Sequence, residues 1–143
     1  MRAVFLAVGF LLAAGCGGNK VVPVSGTVTL DDRPLAHATV TFQPTADEKE
    51  PGPGSAGKTD ENGRFTLQLM TKDTRGALVG THRVSITAYE GGGEVPSSGS
   101  NMVFRKALVP PEYNVKSTLT FEVPAGGTTS ADFQLKSSTS LPR

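Results

Sequence analysis

Few residues of this chain are equipped for chemistry. It has 143 residues but one cysteine, Cys16, and two histidines, His37 and His82. A zinc site needs three or four Cys, His or carboxylate ligands converging on one point, and a Cys/His nucleophile pair needs its thiol inside the folded domain. Cys16 lies directly behind an apolar N-terminal run, distant in sequence from both histidines. Asp60, Glu61 and Asn62 are oxygen ligands of the kind a calcium loop uses. No bidentate glutamate follows at the required spacing, however, and Asn62-Gly63 is the pair that a tight β-turn favours. Ser and Asp are plentiful, but neither histidine sits in a nucleophile or acid motif, so a hydrolase is an alternative without a motif behind it. No cofactor and no metal are implied. The remaining candidates are Tyr89, Arg105, Lys106 and Tyr113, in or beside the long irregular stretch 90–117. Aromatics mixed with cations recur in recognition surfaces. A competing role for Tyr113, with Pro110 and Pro111, is to pin that stretch to the domain, since long loops need anchoring.

Met1 and Arg2 open the chain with positive charge, residues 3–14 (AVFLAVGFLLAA) are apolar, and small residues precede Cys16. That order reads as a signal peptide. Crossing a membrane takes roughly 20 apolar residues, and polar Asn19 and Lys20 interrupt the run too early. Ala13-Ala14-Gly15-Cys16 resembles a bacterial lipobox, in which the thiol is acylated and the chain is cut just before the cysteine. Ala13 stands where that motif usually has leucine, and Leu12 lies one place further back. The competing reading is an ordinary secretory signal. Against it, the lone thiol sits where acylation needs it, and a free thiol is otherwise a liability in an exported protein. Several acyl chains hold a protein to a bilayer where one does not. Gly17, in place of the aspartate that marks inner-membrane retention, points to the outer membrane. The expected organisation is a signal peptide at 1–15, a lipid anchor and short tether at 16–21, a β-domain at 22–136 and a disordered tail at 137–143.

The rest of the chain reads as strands and turns. Hydrophobic residues make up 37% and charged residues 19%, with 17 glycines and 10 prolines, and no long helical period is present, which makes an all-β domain the default. Loss of Arg2 with the signal leaves 13 basic against 13 acidic side chains, no electrostatic case for nucleic acid. In residues 24–30 Val24, Gly26, Val28 and Leu30 share one face. Asp31, Asp32 and Pro34 then make a polar turn, and Ala38, Val40 and Phe42 restart the apolar face in what reads as a hairpin. Residues 45–57 read as a loop. The turn at 60–63, where the Asp60 carboxylate can accept backbone N–H groups, leads to Phe65, Leu67 and Leu69. Beyond a loop at 71–80, His82, Val84, Ile86 and Ala88 face inward, which makes His82 a histidine at the rim of the core. Leu119, Phe121 and Val123, then Ala131, Phe133 and Leu135, supply the last strands. If strands alternate in direction, the loops 45–57 and 71–80 lie at the anchored end. The turns at 31–37 and 60–63 and the stretch 90–117 then lie at the far end, where a partner would meet them.

SGTVTLDDRPLAHATVTFQP followed by AGKTDENGRFTL is similar to the carboxypeptidase regulatory-like family of transthyretin-like (prealbumin-type) β-sandwiches. With the lipobox, and VPPEYN before LTFEV, the chain looks like the small lipoproteins of planctomycete bacteria. Asp32 stands where the family's first turn usually has glycine. The resemblance implies a Greek-key β-sandwich of about seven strands. It does not imply peptidase activity, because in carboxypeptidases such a domain is an accessory to a separate zinc domain, and likeness of fold is weak evidence of function. The combined expectation is a membrane-anchored lipoprotein whose non-catalytic sandwich acts as a binding or scaffold module at the cell envelope. Its partners would be the lipid bilayer, through palmitate on Cys16, and an envelope protein or glycan. The alternative is a structural envelope component without a discrete ligand.

Overall fold

A computed structural model describes residues 20–45, 49, 52–92 and 105–137. The expected signal peptide, Cys16 and most of the tether lie outside the described residues, as do residues 138–143 of the expected tail.

The fold is all-β. The described residues form eleven strands: β1 Val21–Val22, β2 Ser25–Leu30, β3 Arg33–Pro34, β4 Thr39–Pro44, β5 Ser55–Lys58, β6 Arg64–Thr66, β7 Gln68–Leu69, β8 Ala77–Leu78, β9 Gly80–Thr87, β10 Thr120–Val123 and β11 Phe133–Leu135. One sheet runs in the order β10-β9-β4-β5-β7 with every pair antiparallel. The second is built on β2, which pairs in parallel with β11 on one side and antiparallel with β3 and β6 on the other. A small third sheet joins β1 to β8. The two larger sheets share one core, an arrangement consistent with a β-sandwich. Its centre is aromatic: Phe42 on β4 lies 6.0 Å, centroid to centroid, from Phe133 on β11 and 5.6 Å from Phe121 on β10, while Phe133 reaches Phe65 on β6 at 6.4 Å. Offset and edge-on packing of this kind adds to what simple burial contributes.

Several expectations are corrected. β2 and β4 do not form a hairpin. Asp31 and Asp32 both adopt positive φ, 51° and 67°, the geometry of a tight hairpin turn and one that Asp tolerates better than most residues. Pairing with the returning chain nevertheless stops early. The Val28 carbonyl accepts the Leu35 N–H at 3.0 Å, but the Val28 N–H goes to the Gly63 carbonyl at 2.8 Å, so β6 takes over the rest of that side of β2. Released from β2, the chain turns a corner and enters the opposite sheet as β4. Thr59, buried, holds the corner: its hydroxyl donates to the Leu35 carbonyl at 2.6 Å and accepts the Ala38 N–H at 2.8 Å.

Residues 45–57 are not a loop throughout, because β5 begins at Ser55 and lies between β4 and β7. The loop at 71–80 contains β8. Phe65, Leu67 and Leu69 do face inward, but the strand changes sheets at Leu67, β6 pairing with β2 and β7 with β5. Of the expected core, Leu30, Leu119 and Phe121 are only half-buried, while Val22, Leu35, Ala77 and Val109 join it. Strands outnumber the expected seven because short pieces (β1, β3, β5 and β8) pair where no alternation announces them.

Gly26 occupies an inward position of β2 for a reason other than side-chain packing. A Cβ there would stand 2.0 Å from the Ala131 carbonyl oxygen, so the backbone before β11 can reach β2 only over a glycine. Gly26→Ala is expected to destabilise the domain by about 3 kcal/mol or more, whereas Thr27→Ala on the opposite face costs about 1 kcal/mol or less. Chemical denaturation of the two variants checks this. Equal midpoints would mean that the approach of residue 131 is not a constraint.

Candidate functional site

β2, β4 and β9 run between two ends of the molecule, each tied together by its own contacts. At one end the Lys20 carbonyl accepts the Val79 N–H, Thr45 N–H donates to Thr81, and Thr128 N–H donates to Pro23, each at 3.0 Å. At the other end meet the turns at 31–37 and 60–63, residues 90–92, Arg105 and the last described residues, 136–137. Gly92 packs on the His37 ring, and Gly63 on the backbone of Pro34 and Leu35.

The turn at 60–63 is held by Asp60. One carboxylate oxygen accepts the N–H groups of Asn62 and Arg64, both at 2.9 Å, which is turn chemistry rather than a cation site. Among the described residues no group of three or more His, Cys, Asp or Glu is placed to hold a metal ion. Asp31 and Asp32 use their carboxylates in another way. Asp31 accepts both the hydroxyl and the backbone N–H of Ser137, and Asp32 pairs with the Lys136 ammonium at 3.2 Å. The Ser137 hydroxyl and then its N–H, with Lys136 adding attraction, hold the exposed Asp31 carboxyl below its usual 3.8. Ser137 is therefore docked, not the first residue of a loose tail.

The four candidate recognition residues separate. Residues 106–108 pair with 88–90: Tyr89 bridges to Ala107, Glu90 N–H donates to the Lys106 carbonyl at 2.9 Å, and Leu108 N–H donates to Ala88 at 2.8 Å. The Arg105 guanidinium donates to the Gly92 carbonyl. The Lys106 ammonium stands 3.7 Å from the Glu90 carboxylate, both exposed, a pair that contributes little to stability and is free to exchange partners. Tyr89, Arg105 and Lys106 are thus brought together by the pairing of residues 88–90 with 106–108 and by the Arg105–Gly92 bond. Tyr113 makes none of these contacts. It ends a 3₁₀ turn at Pro111–Tyr113, packs half-buried against the core, and accepts the Lys136 N–H at 3.4 Å. These contacts tie its segment to the core and to Lys136. The docking of Ser137 and Lys136 was not readable in the sequence, although two aspartates in a turn that usually has glycine were a signal of it.

His82 lies deeper than the rim of the core, 1% exposed. Its Nδ1 donates to the Gly80 carbonyl at 3.0 Å, which makes Nε2 the unprotonated nitrogen. Nε2 is buried without a partner, and the Phe42 ring lies 5.6 Å away. Burial lowers the affinity of the ring for a second proton, against a smaller opposing effect of the Gly80 bond. His37 is exposed at the other end, in a turn with φ of 56°. The two histidines therefore do not form a pair.

No family model, curated protein or solved structure matches this chain. The geometry carries the functional reading.

Lowered basicity of His82 has a definite sign. The unfolded chain takes up a proton near pH 6.5, the folded chain only at lower pH, so this contribution to stability is complete above that pH and is lost as pH falls toward the folded value. The melting temperature is expected to decline from pH 7 to pH 5, and His82→Phe to flatten that decline. An equally steep decline in the variant would assign it to other groups.

Proposed function

We propose that the protein is a lipid-anchored, non-catalytic binding or scaffold module of a bacterial cell envelope, of the carboxypeptidase regulatory-like, transthyretin-like kind with Greek-key connections. Export and acylation at Cys16 rest on the N-terminal sequence, and Gly17 favours the outer membrane. The observation that carries the reading is the separation of the two ends. Lys20, the first described residue, has its carbonyl bonded to Val79, and only Gly17, Gly18 and Asn19 stand between it and Cys16 in the sequence. Three residues reach at most about 10 Å. The Lys20 end is then held against the bilayer, and the opposite end, with Tyr89, Arg105 and Lys106, is the one presented to an envelope protein or glycan. A hydrolase has less behind it, because His82 keeps its free nitrogen inside an aromatic core and His37 lies at the other end.

Cys16→Ala is expected to abolish incorporation of labelled palmitate and to move the full chain from the membrane to the soluble fraction. Unchanged fractionation would overturn the anchor. For the opposite end, a Tyr89→Ala, Lys106→Glu variant is expected to lose capture of its envelope partner at least tenfold with its melting temperature held. Tyr113→Ala, in contrast, lowers the melting temperature through lost anchorage. Full capture by the double variant would place recognition elsewhere.

A further inference from the structure

An open groove of about 430 Å³ lies beside the start of β2, at the Lys20 end, and nothing proposed above uses it. Its size falls within the roughly 300–1,000 Å³ of small-ligand sites. Ser25 and Thr66 form one wall as a directly opposed pair on β2 and β6, and Pro23 and the turn carrying Gly126, Thr128 and Thr129 form the other. The turn is fixed to β2 by its backbone: Thr128 N–H donates to Pro23 and Ser25 N–H donates to the Thr128 carbonyl at 2.9 Å.

Three features of the lining point the same way. Four lining residues carry hydroxyls and none carries a charge. The Thr128 hydroxyl accepts the Ser130 N–H at 3.1 Å, whereas those of Ser25, Thr66 and Thr129 are not committed to any partner among the described residues. The two glycines of the turn differ in kind. Gly127 is required by the fold, with φ of 77° and a Cβ position 2.4 Å from the Pro23 carbonyl oxygen. Gly126 is not, since a Cβ there would meet nothing within 4 Å and its φ lies outside the left-handed region. What the bare Gly126 does is leave the groove open.

We propose that this groove binds a neutral sugar ring. Uncommitted hydroxyls both donate to and accept from the hydroxyls of such a ring, and Pro23 offers an apolar surface to its C–H face. An ionic ligand would lose water here without gaining an opposite charge. The proposal does not depend on the lipid anchor or on the Tyr89 cluster. The same ring chemistry has two sources, a free saccharide and the headgroup of a neutral glycolipid in a membrane.

The test titrates the isotope-labelled full chain, in detergent micelles, with maltose and with N-acetylglucosamine, and in parallel with vesicles with and without a monoglucosyl diacylglycerol. Saturable shifts confined to the amides of residues 25, 66 and 126–129, at affinities of about 10 mM or tighter, are expected from at least one probe. Binding at least tenfold tighter to the glycolipid vesicles identifies a headgroup site, and comparable affinities identify a saccharide site. Gly126→Leu fills the groove at a position the fold leaves free, and Thr66→Val removes one hydroxyl from the exposed face of β6. Both should weaken binding tenfold or more at unchanged melting temperature, and either variant suffices if the other proves less stable. The proposal falls if no probe gives a saturable shift, if the shifts lie elsewhere, if the folded variants bind as well as the parent chain, or if glucuronate binds better than the neutral sugars.

Discussion

The backbone of β2 has no free side, and the rest of the structure is arranged to satisfy it. On one side the Val24 carbonyl accepts Leu67, Val28 N–H donates to Gly63, and the Val28 carbonyl accepts Leu35. On the other, Ser25 is bonded to Thr128 and Ala131. Where that ladder offers Thr27 no carbonyl, the carboxylate of Asp132 accepts its N–H at 2.9 Å. Buried backbone groups left unpaired are costly, so each of these segments must lie where β2 needs it. Their positions then fix the remainder. Gly63, just before β6, takes the Val28 N–H and so excludes a longer hairpin, and the chain crosses to β4. Strand β6 in turn hands over to β7 at Leu67, closing one side of the core. The approach of residue 131 requires that position 26 carry no side chain.

How far this was legible depended on the range of the interaction. Alternation marks a face because it is local, and Val24, Val28, Val40, Phe42, Val84, Ile86, Phe133 and Leu135 are buried as their period requires. The turn at Asp31 and Asp32 was legible for the same reason. How long pairing lasts beyond a turn is decided by competition, here from Gly63, which no local pattern reveals. β5 was missed because Ser-Ala-Gly-Lys has no β-branched or aromatic residue, and its glycine is there to admit the Thr66 carbonyl, 2.5 Å from its Cβ position. At the candidate site, Tyr89, Arg105 and Lys106 are near neighbours in the fold because residues 88–90 and 106–108 pair. Tyr113 could be separated from them only by its partner, Lys136, which is distant in the chain.

Edges are managed with little material. The outer side of β9 would be a long bare edge, a template for pairing with other chains. It is covered in three stretches by one returning segment: residues 106–108 at the Tyr89 end, Ser117 and Leu119 bonded to Val84 in the middle, and β10 beyond. Between the first and second stretches the segment buries Val109 in the core and then passes through the 3₁₀ turn, which carries Tyr113 to Lys136.

The parallel docking of β11 on β2 joins nearly the last described residues to nearly the first, with Thr27 bonded to Asp132 and Asp31 to Leu135 and Ser137. A polypeptide interrupted before Ala131 therefore leaves β2 without its β11 flank and Gly26 without the neighbouring backbone that packs over it. Contacts of such sequence separation also form late, since a long loop must close before they return anything. Closure of the β2 sheet is thus postponed until residues 131–137 have been made, and a chain that stops short of them has β2 open along one flank.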